Sequence, residues 1–350
     1  MHVVFVLSSL FLSGGVQVVI EFANRLAARG HEVALVIPRD TAAPDMRQRV
    51  ARSVLVCESK SSLGAQRHVF HYWQLAWSLR QAIPPGNVII ATHTPTIVPV
   101  CLATLGSRSR RAWLYMDYAE MFQGRPIEHW LLRHAPRWFD RLLTLSESSR
   151  AAAQRAGARK ATVIGLGLTD EEFFKPQTHV PNAHPVAMYL GDARPRKGLA
   201  DFLAAAEIAQ RRITDLHLLI VTKDQAPIET AVPFEQIVKP DRSELPNLYR
   251  RADVFVSTSW GEGFGLPPLE AMACGIPVVL TDSGGVRDFA RAGENCVLVS
   301  PRAVDQIAAG MTQILSDRAW ATRLAAAGVT TVERFQWEAC VDRLEAALRA

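Results

Sequence analysis

Cysteine is scarce in this chain and shows no ordered spacing. The five cysteines, Cys57, Cys101, Cys274, Cys296 and Cys340, are odd in number and never stand as C-x-x-C. That argues against a disulfide framework and against a zinc site of the usual ligand spacing, and it makes a reducing cytosol the expected compartment. Long apolar runs are also missing. No stretch reaches the ~20 residues of a membrane span, and the candidate at 88–105 is broken by His93, Pro95 and Pro99. The opening MHVVFVLSSLFLSGGVQVV lacks a charged leader and a small-residue cleavage site, so it reads as a strand and not as a signal peptide. No D-x-D pair occurs, which leaves a divalent-metal clamp without evident ligands; no metal and no other cofactor is expected. Charge of one sign is not in great excess either, 39 Lys and Arg standing against 34 Asp and Glu. The balance suits an anionic small molecule or an anionic lipid surface without requiring either. No nucleic-acid recognition motif accompanies it.

What is present is enough apolar sequence for two cores. At 350 residues, 49% hydrophobic and 21% charged, the chain exceeds the size at which one core stops growing, and two α/β domains are expected. Met1 to Leu7 reads as a buried strand, Gly14-Gly15 as a tight turn, Val16 to Arg29 as a helix ended by Gly30, and His31 to Pro38 as a second strand. A βαβ unit of this kind requires a parallel sheet. Short apolar runs at 53–56, 88–91, 112–116, 141–145 and 161–164 extend it. The text FFKPQTHVPNAHP at 173–185 is a polar, proline-rich linker. After it the pattern restarts, with strands expected at 186–190, 216–221, 236–238, 254–257, 277–280 and 296–298. Helices are expected at 198–211, 245–251, 267–274, 285–292, 304–315 and 337–349. The expected division is residues 1–176, residues 177–335 and a closing amphipathic helix at 336–350 that packs back on the first domain.

The segment STSWGEGFGLPPLEAMACGIPVVL carries most of the chemistry. Glu262 and Glu270 enclose seven residues, among them Gly263, Phe264 and Gly265. A glycine-bracketed turn running into a helix with proline in its first turn presents unpaired amides at a positive helix end, suited to a diphosphate or to sugar hydroxyls. Glu270, about one turn into that helix, is placed to accept both hydroxyls of a ribose. Glu262 stays in the loop, nearer the sugar.

The E-x7-E pattern of EGFGLPPLEAMACGIPVV resembles the donor-site signature of glycosyltransferase family 4, retaining enzymes of the two-domain GT-B fold. The resemblance continues in Gly14-Gly15 before LAARGHEV, in RKG at 196–198, in SESSR at 146–150, in VIGLGLTDEEFFKP and in the closing FQWE. It implies two Rossmann-like doubly wound domains facing an interdomain cleft, the first on the acceptor side and the second holding the donor. It also implies that Glu270 binds ribose and that Glu262, Gly263 and the amides of Phe264, Gly265 and Leu266 hold sugar and diphosphate. Gly14 and Gly15 are then expected to close over the phosphates. In GDARPRKG, family members commonly carry an arginine where Asp192 stands here. Lys197 keeps its place as a phosphate ligand, and Arg194 or Arg196 is expected to replace the missing arginine, each competing with a plain solvated charge. Base recognition is expected from backbone near Val238 and Lys239.

Many relatives place a histidine after the fourth or fifth strand. The text here is LYMDYAEMF, similar to a QDYExxF variant of the rhamnosyltransferase-like branch. Asp117 is thereby a candidate catalytic residue beside Glu262 and Lys197, with a strand-terminating aspartate as the bland alternative. Glu120 and His93 are candidates for the acceptor side. RPIEHWLLRHAPRWFDRLL, preceded by SRSRR, reads either as a solvated helix face or as a peripheral contact with the inner membrane face.

The resulting expectation is a metal-independent, hexosyl-type transferase. It moves a sugar from a UDP, GDP or dTDP donor to a sugar or lipid-linked acceptor with retention, in cell-surface polysaccharide or glycolipid assembly. A nicotinamide-dependent oxidoreductase and a non-catalytic sugar-nucleotide-binding protein stand as alternatives. Against the former, SSLFLSGGVQ does not spell G-x-G-x-x-G.

Overall fold

Four consecutive buried residues, Val3 to Val6, suit a strand covered on both faces, and β1 (His2–Val6) is such a strand. Ser13 then caps α1 (Gly14–Ala28) by accepting the Val16 amide at 3.2 Å. The helix stops where Gly30 takes φ +82° and its amide closes on the Ala27 carbonyl at 3.0 Å. The chain reverses into β2 (Glu32–Arg39), which pairs parallel to β1.

The computed structural model describes residues 1–62, 69–117, 122, 124–169, 174–177, 182–225 and 227–350. The chain divides into one unit of 1–166 with 337–350 and a second unit of 167–336. The first boundary therefore lies ten residues before the one expected from composition.

In the first unit the chain continues through α2 (Pro44–Gln48), β3 (Val54–Ser62), α3 (Val69–Ala82), β4 (Val88–Ala91), α4 (Ile97–Thr104), β5 (Arg110–Tyr115), α5 (Pro126–His134), β6 (Arg141–Thr144), α6 (Glu147–Arg155) and β7 (Ala161–Val163). Strand order is β3-β2-β1-β4-β5-β6-β7, with parallel pairing throughout. The order reverses direction between β1 and β4, the place where open α/β sheets bind ligands beyond their carboxyl ends. Trp113, fully buried, anchors the core against Tyr115 and Phe139.

The second unit runs through β8 (Val186–Gly191), α7 (Leu199–Gln210), β9 (His217–Thr222), β10 (Phe234–Val238), α8 (Leu245–Arg250), β11 (Val254–Ser257), α9 (Leu266–Ala273), β12 (Val278–Thr281), β13 (Val297–Val299), α10 (Val304–Ser316) and α11 (Arg318–Val332). Its order, β10-β9-β8-β11-β12-β13, is again all parallel and reverses between β8 and β11. The helix expected at 285–292 is only a single 3-10 turn, Gly285–Asp288. Gly284 precedes it at φ +91°, and the Ala290 amide turns back to the Val286 carbonyl at 2.7 Å, so the chain coils under the neighbouring loop instead of propagating. Among the described residues no helix is long and apolar enough to cross a membrane.

The last helix, α12 (Trp337–Arg349), belongs to the first unit. Its buried residues Trp337, Val341, Leu344 and Leu348 recur at helical spacing. Trp337 meets Phe22 of α1 edge to face, with centroids 5.1 Å apart. Around this contact Arg25 donates to Glu338 at 2.8 Å and Arg29 to Asp342 at 2.6 Å. These exposed ion pairs add little by themselves, so the aromatic contact dominates. Trp337→Ala is expected to destabilise the first unit by about 3 to 5 kcal/mol, read as a lower urea midpoint. A midpoint within error of the parent would mean that α12 contributes nothing to the unit's stability.

Candidate functional site

In the second unit the loops after β8 and β11 flank the reversal point and are laced together by their backbones. Gly198 takes φ +70°, and a Cβ there would lie 2.2 Å from the Thr258 carbonyl oxygen, so only glycine fits. The Thr258 hydroxyl donates to the Gly198 carbonyl at 2.7 Å, and the Trp260 amide donates to the Arg196 carbonyl at 2.8 Å. The Tyr189 hydroxyl donates to the Lys197 carbonyl at 3.1 Å. Lys197 is thereby held where its Nζ donates to Glu262 Oε1 at 2.5 Å.

Burial alone would raise the Glu262 carboxyl. The charge and hydrogen bond of Lys197, the charge of Arg196 and a hydrogen bond from Ser259 outweigh it and hold the group below the usual glutamate range. The Glu262 amide donates to the Ser283 carbonyl at 2.9 Å, and its carbonyl accepts from Gly285 at 3.1 Å. Gly285 admits no side chain, since a Cβ would lie 2.4 Å from the Phe264 nitrogen. Gly265, at φ +102°, starts α9 without a side-chain cap.

Pro267 and Pro268 have no N–H, which removes two of the first helical donors. The amides of Phe264, Gly265 and Leu266 form no hydrogen bond among the described residues. Three consecutive open donors next to an ammonium group make a nest for an anion.

Glu270, buried on α9, accepts from Arg242 Nη1 at 2.9 Å through one oxygen and from the Tyr249 hydroxyl at 3.0 Å through the other. Burial first and then the Glu270 charge hold the Tyr249 phenol well above its ordinary pKa, so it remains a donor. Each carboxylate oxygen retains lone-pair capacity for a further donor.

Arg194 donates from its amide at 3.1 Å and from Nε at 2.7 Å to Asp192, and from Nη2 to the other oxygen of the same carboxylate. Burial pulls Asp192 upward, but the hydrogen bonds and charge of Arg194, followed by Lys197, bring it below the ordinary range. Val238 ends β10. Lys239, at φ +52°, has its amide on the Thr222 carbonyl at 2.7 Å, so that donor is already engaged.

Sequence reading missed Arg242 and Tyr249, whose contacts with Glu270 span 28 and 21 positions. It also missed Lys223 at the end of β9, lowered by desolvation of its ammonium while Asp192 opposes and Arg194 and Lys197 assist that shift. The periodicity carried no signal for any of the three.

In the first unit the reversal point brings Gly15 and His93 together. A Cβ on Gly15 would sit 3.1 Å from His93 Nε2 and 3.5 Å from Met116 Cε. Gly14 is the first residue of α1. The buried Thr92 hydroxyl donates to the Val6 carbonyl at 2.8 Å, which uses its only hydrogen. The contact between Thr92 Oγ1 and His93 Nδ1 at 3.0 Å must therefore be supplied by an Nδ1–H. In the neutral ring, Nε2 is left as an acceptor facing Gly15. Asp117, also buried, accepts the amide and the hydroxyl of Thr94 on one oxygen, both at 2.6 Å, and so ties the end of β5 to the turn after β4. Among the described residues its other oxygen takes no hydrogen bond. Glu120 lies outside the described residues.

A family model described as Glycosyltransferase Family 4 matches residues 12–172, and one described as Glycosyl transferases group 1 matches residues 170–330. The chain is 31% identical over 169 residues to an O-antigen chain mannosyltransferase B of Escherichia coli, covering 45% of this chain and 44% of that protein. It is 30% identical over 232 residues to a D-inositol 3-phosphate glycosyltransferase of Rhodococcus opacus (strain B4), covering 61% of this chain and 49% of the relative. The matches thus span about half the length of these curated relatives. Among solved structures, sucrose-phosphate synthase from Thermosynechococcus elongatus superposes with a TM-score of 0.85 at 20% identity over 99% of this chain and 98% of the other. HepE from Anabaena, in complex with UDP and glucose, gives 0.80 at 19% identity over 99% of both chains. At these identities the likeness shows the fold, two Rossmann-like units of the GT-B class.

Two outcomes test the site geometry. A carboxyl depressed in the folded chain adds stability that is complete above its ordinary range and is lost as pH falls through the lowered value. Glu262→Gln should therefore be less stable than the parent near neutrality, with the gap closing below about pH 4. A gap constant across that range would mean that Glu262 is not the ionised partner of Lys197. For His93, nitrogen-15 shifts should report a protonated Nδ1 and a bare Nε2 in the neutral ring; the opposite tautomer would overturn the Thr92 assignment.

Proposed function

We infer that this chain, which belongs to glycosyltransferase family 4, moves a sugar from a nucleoside-diphosphate sugar to an acceptor hydroxyl, with the donor held by the second unit. The observation that carries this reading is the set of three open amides at 264–266 beside Lys197 and Glu262. A departing nucleoside diphosphate gathers negative charge in the transition state, and fixed donors aimed at that charge stabilise it without reorganisation.

Lys197 is proposed to exchange Glu262 for a phosphate oxygen, leaving the Glu262 carboxylate to accept hydroxyls of the donor sugar. Glu270 is proposed to take ribose hydroxyls in place of Arg242 and Tyr249. With Arg194 engaged by Asp192, the positive charge at the diphosphate is assigned first to Lys197 and then to Arg196. The acceptor hydroxyl is proposed to attack the face from which the diphosphate leaves, its proton passing to a donor phosphate oxygen, so that the anomeric configuration is retained. No divalent cation enters this scheme. Asp117 and His93 are proposed to serve the acceptor side in the first unit. Ile127 and Trp130, both exposed on α5, offer a peripheral contact with an anionic membrane carrying a lipid-linked acceptor. The family assignment sets aside the nicotinamide-dependent alternative.

HepE is described with UDP and glucose, which makes UDP-sugars the first donors to test. In a panel of UDP, GDP and dTDP sugars, the cognate nucleotide should raise the melting temperature, and Glu270→Ala should weaken its binding. Lys197→Ala should lower kcat by roughly two orders of magnitude, and transfer should persist in EDTA. An inverted product, or a Lys197→Ala enzyme with parental kcat, would refute the scheme.

A further inference from the structure

The motif SRSRR at 107–111 takes no part in the site above. It enters β5 at the amino edge of the first unit's sheet, about 20 Å along the strand direction from the edge that carries Gly15, His93 and Asp117. There the starts of β5 and β6 and the end of α12 border an open cavity of about 390 Å³, a volume suited to a small ligand. Five cations, Arg108, Arg110, Arg111, Arg141 and Lys160, line it, with the Asp140 side chain and the last residue, Ala350.

Asp140 Oδ2 accepts the Arg111 amide at 2.9 Å, and among the described residues no lysine or arginine side chain pairs with this carboxylate. Arg110 is positioned by the end of α12, donating to the carbonyls of Leu348 at 3.3 Å and Arg349 at 3.1 Å. Among the described residues none of the five cations forms an ion pair with a carboxylate. Burial, and then the like charge of Arg110, lower the Arg141 guanidinium below its ordinary value. Arg25, Arg29 and Arg47 of the same unit are paired, with Glu338, Asp342 and Glu58. Concentrated unpaired cations around a cavity are locally costly, and an anion in the cavity relieves that cost.

We propose that this cavity is a second, anion-binding site, taking a phosphorylated polyanion such as a diphosphate or a phosphate-ester headgroup. The forked donors of four arginines match the geometry of phosphate oxygens, and Lys160 adds a compact charge. The same chemistry is offered by a free diphosphate and by the headgroup of an anionic lipid. The proposal does not rest on the transfer reaction.

The test uses the full chain and hydrogen exchange, with inorganic pyrophosphate as one probe and phosphatidylglycerol vesicles, against phosphatidylcholine vesicles, as the other. Residues 107–111 and 139–142 should gain protection with at least one probe. The double variant Arg141→Gln, Lys160→Gln should weaken that binding by roughly tenfold or more, while Arg318→Gln, Arg323→Gln, with the same change in net charge on α11, should not. Protection by pyrophosphate identifies a soluble ligand, and protection only by phosphatidylglycerol identifies a lipid headgroup; both support the site. Absence of protection with either probe would overturn it. So would a loss that the α11 control reproduces, since the binding would then be nonspecific charge attraction. Protection confined to 191–198 and 262–266 would overturn it too, because the anion would then occupy the donor loops alone.

Discussion

The ion pair between Lys197 and Glu262 is the constraint around which the second unit's functional loops are arranged. Two opposite charges, each largely removed from water, are costly to bring together unless their backbones already hold them in register. Here the cost is met by structure that contains no charge. Gly198 lies against the Thr258 carbonyl and Gly285 against the Phe264 amide, and hydrogen bonds from the Thr258 hydroxyl, from the Trp260 amide and from the Glu262 amide to the Ser283 carbonyl hold the loops. The ammonium and the carboxylate are presented to each other before any ligand arrives. In the proposed scheme an incoming diphosphate would compete with Glu262 for Lys197 without reorganising the fold, which is the sense in which such a site is preorganised.

Asp192 changes the charge logic of the neighbouring loop. An arginine at that position would add a cation, whereas the aspartate adds an anion that takes the fork of Arg194. The pair is close to neutral as seen by a ligand. In the proposed scheme what remains for a phosphate is the ammonium of Lys197, once it exchanges Glu262 for the ligand, with Arg196 and the backbone donors at the start of α9. In the same scheme an aspartate at this position leaves phosphate to Lys197, Arg196 and main-chain amides, whose positions Gly265 and the two prolines fix.

Much of this was legible in the sequence, for physical reasons that can be located. Runs such as VVFV, VIIA and VVL must be buried on both faces, and the glycines at 30, 198 and 265 mark backbone with positive φ; composition and spacing read both. The pairing of Glu262 with Glu270 across a helix start was legible because it is local. The partners of Glu270 were not, since Arg242 and Tyr249 reach it from other elements and no periodicity links them. The helix expected at 285–292 failed for a related reason. Its apolar spacing is helical, but tertiary packing of Gly285 under the 262–264 turn and the backbone at Gly284 stop it after one turn. Composition placed the domain linker in the polar text at 173–185, whereas the compact units part at 166, because Leu168 already bonds to Phe335 within the second unit.

The two units share one device in different degrees of tightness. In each, a glycine beyond the first strand touches the loop beyond the fourth at the point where strand order reverses. In the second unit that contact is backbone on backbone, with 2.2 Å available to a Cβ at Gly198, and no side chain can be accommodated without rebuilding the loop. In the first unit Gly15 faces the end of the His93 ring at 3.1 Å, and Met116 stands behind it at 3.5 Å. Side chains there can shift by tenths of an ångström, and their identity sets the shape of the surface. A fixed cradle built from main chain suits a ligand part common to many reactions, such as a diphosphate. A surface built from exchangeable side chains on a similar scaffold suits the part that differs from one enzyme to the next. The proposed division of labour between donor and acceptor units would then follow from which atoms, backbone or side chain, meet at each reversal point.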